Sequence, residues 1–114
     1  MKSRIQSFAH AFAGLQAAFK TQPNLRIHFV ATLLVIGFSI YFELETFEWL
    51  FVLSAVALVW MAELFNTAIE SLCDLYSSEF NPKIKFIKDV AAGAVLLTAI
   101  YAVCVACFIF IPLL

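Results

Sequence analysis

Three apolar runs, Leu25–Phe42, Trp49–Met61 and Val90–Leu114, leave this chain few ways to fold. A bilayer core about 30 Å thick takes roughly 20 helical residues to cross. A segment inside it must satisfy its own backbone hydrogen bonds, which an α-helix does. Composition agrees, since 64% of the residues are apolar and 13% charged, whereas a soluble domain carries charge on about a quarter. The second run continues in helical pattern through Ala62–Asp74, polar along one side. The 114 residues read as one all-α membrane domain, 1–114, with spans at about 25–42, 48–73 and 89–112.

Ahead of the first span, Ile5, Phe8, Phe12, Leu15 and Phe19 recur at spacings of three and four, with Arg4, Gln6, Ser7, His10, Gln16 and Lys20 between them. This predicts an amphipathic helix over 3–20 lying in the membrane surface. Pro23 within Thr21–Asn24 should end it. Because the charged start leads into that stretch and not into an apolar core with a cleavage site, no secretory signal is expected. Glu43–Glu48, with three acids, should be a short turn outside the bilayer, and Ser77–Lys88, with Pro82 and three lysines, a polar loop.

Basic residues set orientation more strongly than acids. Lys2, Arg4, Lys20 and Arg26 precede the first span, and Lys83, Lys85 and Lys88 lie between the second and third. Both segments are expected in the cytoplasm, with the acidic turn and the C-terminus on the far side. The net charge of -1 offers no global field for nucleic acid. Cys73, Cys104 and Cys107 lack the paired spacing of a metal site and read as small core residues.

Glu63, Asn66, Glu70 and Asp74 stand at offsets of 0, 3, 7 and 11, which at about 100° per residue places them within roughly 80° of one helical face. Glu63 lies about 10 Å deeper than Glu70, where a carboxylate is costly unless partnered or hydrated. Three carboxylates on one face repel, so a cation or a proton is expected when the site is assembled. Lys88 and Asp89, where loop becomes span on the same membrane side, could meet these acids and magnesium around a phosphate chain. The bland alternative is that the stripe only packs helices. For Lys83 and Lys85 a plain positive-inside role is favoured.

These residues resemble a family, the small prokaryotic membrane diacylglycerol kinases with their undecaprenol kinase relatives. The matching stretches are Ser7–Ala11 with Gly14–Leu15, Asn24 with His28, Glu63–Glu70 with Asp74, and Lys88–Val95. The patterns E-x-x-N-[ST]-A-I-E-x-x-x-D and K-D-x-x-x-G-A-V occur in order within three spans. The resemblance implies a homotrimer in the bacterial cytoplasmic membrane. It implies transfer of the γ-phosphate of magnesium ATP to the hydroxyl of a membrane lipid, diacylglycerol or undecaprenol, with sites shared between neighbouring subunits. It assigns Glu63 as the general base, Asn66 as a residue positioning base or phosphate, both at the substrate, and Glu70 as a metal ligand. Asp74, Glu79, Lys88 and Asp89 look like its nucleotide contacts, together with Glu70 and with His10 on the surface helix that covers the nucleotide. For His10 and His28 taken alone, packing at the interface is the expected role. Gln22 departs from the family pattern, standing where a second metal-binding glutamate is expected, and its amide oxygen would hold magnesium weakly.

Two other classes fit part of the pattern. A cation or proton conductor could use the acidic stripe, but Leu50–Met61 offers Ser54 as its single polar group, so no relay continues. A noncatalytic assembly subunit would need no Lys-Asp pair beside the stripe.

Overall fold

The computed structural model describes residues 2–114; Met1 and the side chain of Lys2, one of the bases used above for orientation, lie outside the description. It is all helical: α1 (Lys2–Thr21), α2 (Pro23–Tyr41), α3 (Thr46–Tyr76), α4 (Pro82–Phe110) and a short 3₁₀ turn, Ile111–Leu113. Three of these helices, α2, α3 and α4 with its 3₁₀ extension, are long and apolar enough to cross a membrane.

Each boundary has a local cause. Gln22 alone separates α1 from α2, in extended conformation, and Pro23 opens α2 where its missing N–H is no loss. Arg26 then reaches back across the break, donating from Nε to the Phe19 carbonyl at 3.1 Å and from Nη2 to the Lys20 carbonyl at 2.6 Å. Its guanidinium thus satisfies carbonyls that the end of α1 leaves without partners. At the other end of α2, Leu44 N–H donates to the Ser39 carbonyl and Glu43 N–H to that of Ile40, the paired bonds of a Schellman cap. Glu43 takes the left-handed conformation there, φ 54°. Glu48 caps α3 by accepting from the Glu45 N–H at 2.9 Å, which also sets an acid at the positive end of that helix.

The segment 77–88 differs from the expected loop. Asn81 accepts from Lys83 N–H at 2.9 Å and Pro82 occupies the first helical turn, a strong start signal. Only Ser77–Asn81 is left between the helices, and Lys83, Lys85 and Lys88 ride on α4. With 31 residues, α3 also runs past the expected end at 73, and its roughly 46 Å of length exceeds a 30 Å core by several turns.

α3 and α4 pack along their length as an antiparallel pair, with α2 more lightly against α3. The apolar core sits beside the acidic turn, where Leu44, Val52, Ala55, Val105 and Ile109 are buried together. Outward faces are strongly apolar, as Leu97 and Phe108 illustrate at 70% and 82% exposed, the pattern of helices whose outer solvent is lipid or another subunit. The same reason corrects the expectation for two cysteines: Cys73 is buried, but Cys104 and Cys107 are exposed on α4. A small apolar side chain incurs no penalty facing hydrocarbon. The apolar stripe of α1, Ile5, Phe8 and Phe12, is likewise uncovered.

Candidate active site

At the end of the bundle opposite the apolar core, the start of α2, the last turns of α3 and the first turns of α4 come together. Two side-chain contacts hold them: His28 of α2 meets Glu63 of α3, Nε2 to Oε1 at 3.1 Å, and Lys88 of α4 donates to Asp74 of α3 at 2.8 Å. The stripe read from the sequence therefore lies between both neighbouring helices. Glu63 is 6% exposed, one of two buried polar side chains among the described residues. Among the described residues His28 is its one side-chain hydrogen-bond partner, and the Glu63 side chain keeps 9% exposure.

One turn on, Asn66 donates from Nδ2 to Glu70 Oε1 at 3.1 Å. An ionised carboxylate only accepts, so this bond fixes the amide with its oxygen pointing elsewhere. That oxygen, Asn66 Oδ1, is buried and has no partner, which costs about 1–3 kcal/mol. Glu70 and Asp74 lie in the final turns of α3, and no base accompanies them in its last turn. Carboxylates at the negative end of a helix oppose its dipole, and local rules broken in this way mark sites kept for chemistry.

The remaining residues are less gathered. Asp89 pairs with Lys85 one helical turn away, both largely exposed, so it does not join the Lys88–Asp74 contact. Glu79 is exposed in the short loop, its N–H donating to Ser77 Oγ. His10 is exposed on α1, with no hydrogen bond to the stripe among the described residues. Gln22 stands at the α1–α2 break and makes no side-chain cap bond. Among the described residues no three His, Cys, Asp or Glu side chains converge as a metal cage. The donors present, Glu70 and Asp74 in the last turns of α3 and the buried, orphaned Asn66 oxygen one turn before Glu70, are nevertheless hard oxygens. They suit a hard cation that keeps several waters and takes phosphate oxygens for the rest of its shell.

His28 is the residue whose part the sequence understated. Expected as interface packing, it is the partner of the buried acid. The available signal was depth: a polar ring near the start of an apolar span faces the same end of the bundle as the acid-bearing turns of the second.

Below this end an apolar trough of about 240 Å³ runs between α2, α3 and α4, from His28, Thr32 and Trp60 down to Val105 and Phe110. Ser54, the polar group of the far half of α3, donates to the Phe51 carbonyl and meets Tyr101 Oη at 3.1 Å. It ties α3 to α4, and among the described residues no hydrogen bond joins it to the stripe.

Residues 9–110 match the family described as prokaryotic diacylglycerol kinase. The chain is 34% identical to the undecaprenol kinase of Bacillus subtilis over 107 residues, covering 94% of this chain and 87% of that protein. It is 43% identical to a diacylglycerol kinase of Synechocystis over 110 residues, 95% of this chain and 63% of that protein, and so spans less than two thirds of that relative. Against the diacylglycerol kinase of Escherichia coli K12 it is 30% identical over 105 residues, 92% of this chain and 86% of that protein.

Proposed function

The chain belongs to the prokaryotic diacylglycerol kinase family and is an ATP-using membrane lipid kinase, and from that premise we propose that Glu63 is its general base, acting on a lipid hydroxyl at the head of the apolar trough. The observation that carries this is a buried carboxylate held by His28, which itself lines the head of the apolar trough. A diacyl or polyprenyl chain would lie along Val35, Val56 and Ala102 and bring its hydroxyl to Glu63. As the lipid oxygen bonds to the γ-phosphorus, its proton passes to Glu63, the bond from that phosphorus to the β-phosphate oxygen breaks, and ADP leaves.

Depth separates the roles along α3. The base must reach a hydroxyl in the membrane, whereas the triphosphate must stay near water. Glu70 would hold magnesium, with Gln22 a weaker candidate, and Asn66 would orient Glu70 while offering its free oxygen to phosphate-bound water or substrate. Magnesium, when bound there, would supply positive charge to offset the charge developing on the phosphate oxygens. Lys88 would contact the triphosphate, drawn from Asp74 by the larger phosphate charge. Asp74, Glu79 and Asp89 would complete the nucleotide side, with α1 and His10 covering it from the membrane surface.

The exposed apolar faces of the spans and the sparse donor set within one chain support a homotrimer with shared sites. The bases at the site end support a cytoplasmic location for it, with the N-terminus and the Ser77–Asn81 loop on that side and the C-terminus opposite.

The test is ATP-dependent phosphorylation in mixed micelles, with diacylglycerol and undecaprenol offered side by side. The parent should phosphorylate at least one of them, and Glu63→Gln should lose about 10²- to 10⁴-fold in turnover on whichever is used, the usual range for a general base. Assembly and nucleotide binding should persist. Near-parental turnover by the variant would remove Glu63 from the base role.

A further inference from the structure

Resting on the assignment of Glu63 as base, we propose that His28 is a positioning residue for the reaction, which holds one oxygen of that carboxylate so that the other faces the lipid hydroxyl. A glutamate has three side-chain torsions, and in an apolar zone its charged end would otherwise turn toward water or α4. His28 Nε2 meets Oε1 at 3.1 Å from the neighbouring helix. A base must be ionised to act, and an ionised carboxylate only accepts, so Nε2 carries the hydrogen in the working state. Oε1 is then committed, and Oε2, with no hydrogen bond among the described residues, is left to face the hydroxyl.

The imidazole is itself held in place. Thr32, one turn along α2, donates from Oγ1 to the His28 carbonyl at 2.6 Å and accepts from Trp60 Nε1 of α3 at 2.9 Å. Trp60 precedes Glu63 by three residues, and Thr32 follows His28 by four, so both pairs lie on facing stripes of the two helices. Two adjacent cross-links therefore fix the register of α2 on α3 at the depth of the base. In hydrocarbon, where water does not compete, such bonds define geometry. His28 and Trp60 also line the head of the trough, so the atoms that orient the base border the volume through which a lipid hydroxyl would arrive.

Substitution at His28 should lower kcat and leave the KM for ATP nearly unchanged, because the nucleotide side of the site lies outward along α3. The expected loss for His28→Ala is roughly 10- to 100-fold, the range for removing a hydrogen bond to a charged group. Gln places an amide N–H near the position of Nε2 and does not titrate, so His28→Gln should recover most of the rate. In the Glu63→Gln background, His28→Ala should add nothing further. If His28→Ala does not assemble, His28→Leu compared with His28→Gln reads the same hydrogen bond at similar volume. All variants would be assayed as purified assembled protein in one micelle composition, with the lipid used by the parent. Parental kcat in His28→Ala, a His28→Gln as slow as His28→Ala, or losses that multiply with Glu63→Gln would each overturn the positioning role. A slow Glu63→Gln beside a parental His28→Ala overturns this proposal alone, whereas a fast Glu63→Gln removes the base assignment on which it rests.

Discussion

Glu70 and Gln22 differ by one charge on the side chain, and a hard cation such as magnesium is held more firmly by a carboxylate than by an amide oxygen. Glu70 is oriented by Asn66 and lies near the water end of α3, where a hydrated cation needs least dehydration. Glu70→Gln should shift the magnesium dependence of activity upward by about tenfold or more, the loss of one charge-assisted contact, while turnover at saturating metal falls less. Superimposable magnesium titrations of variant and parent would place the metal elsewhere. Gln22 sits at the only non-helical residue between α1 and α2 with its side chain uncommitted to the cap, so a carboxylate there costs little locally. Gln22→Glu should raise activity at limiting magnesium by adding an anionic oxygen to the ion's shell, and the gain should fade as magnesium saturates. A response unchanged or weakened by the substitution would leave Glu70, phosphate and water as the complete shell.

Among the elements, the α2–α3 turn carries a backbone cost that the rest of the chain absorbs. Glu43 occupies the left-handed region at the position where a Schellman cap usually has glycine. An L-residue is disfavoured there by about 1–2 kcal/mol, offset in part by the larger chain entropy that glycine loses on folding. Glu43→Gly should therefore stabilise the folded protein by up to about 1 kcal/mol, read as a higher midpoint of thermal unfolding in detergent, with lipid phosphorylation unchanged because the turn lies at the end remote from Glu63. A lower midpoint would show that the Glu43 side chain contributes more than its backbone conformation costs. At the site end, Lys83, Lys85 and Lys88 are borne by regular helix, so the spacing of Lys88 from the acids of α3 is fixed by the packing of α4 and not by a loose loop.

For the whole molecule, one chain brings together a buried glutamate, its histidine partner and a few oxygen donors, but leaves its outward faces apolar and α1 with its apolar stripe uncovered. Three copies related by a closed symmetry axis would cover part of that surface and bring donors from neighbours to each site. Mass measurement in detergent should give three chains per particle. An active monomer would refute the trimer. Orientation is checked separately by cysteine labelling in a background without the native thiols. A cysteine at Thr46 should label from outside intact cells, and one at Ser78 only after permeabilisation. The reverse pattern would invert the topology.

Much of this architecture was legible in the amino-acid order because it depends on length and period alone. A run of apolar residues long enough to cross hydrocarbon must be helical there, and offsets of 0, 3, 7 and 11 put Glu63, Asn66, Glu70 and Asp74 on one face whatever packs against them. The expectation of a lysine-bearing loop over 77–88 erred by weighing charge and proline as breakers, where Asn81–Pro82 is a helix start. Cys104 and Cys107 were misread because a small apolar residue fits a core or a lipid face equally well, and periodicity does not say which side of a membrane helix has neighbours. Partners across helices were beyond reach for the same reason. Whether His28 meets Glu63, whether Lys88 turns to Asp74 and Asp89 to Lys85, and which oxygen of Asn66 is left bare depend on rotation and register between helices. Those are set by the sum of many weak side-chain contacts, and only the tertiary structure decides them.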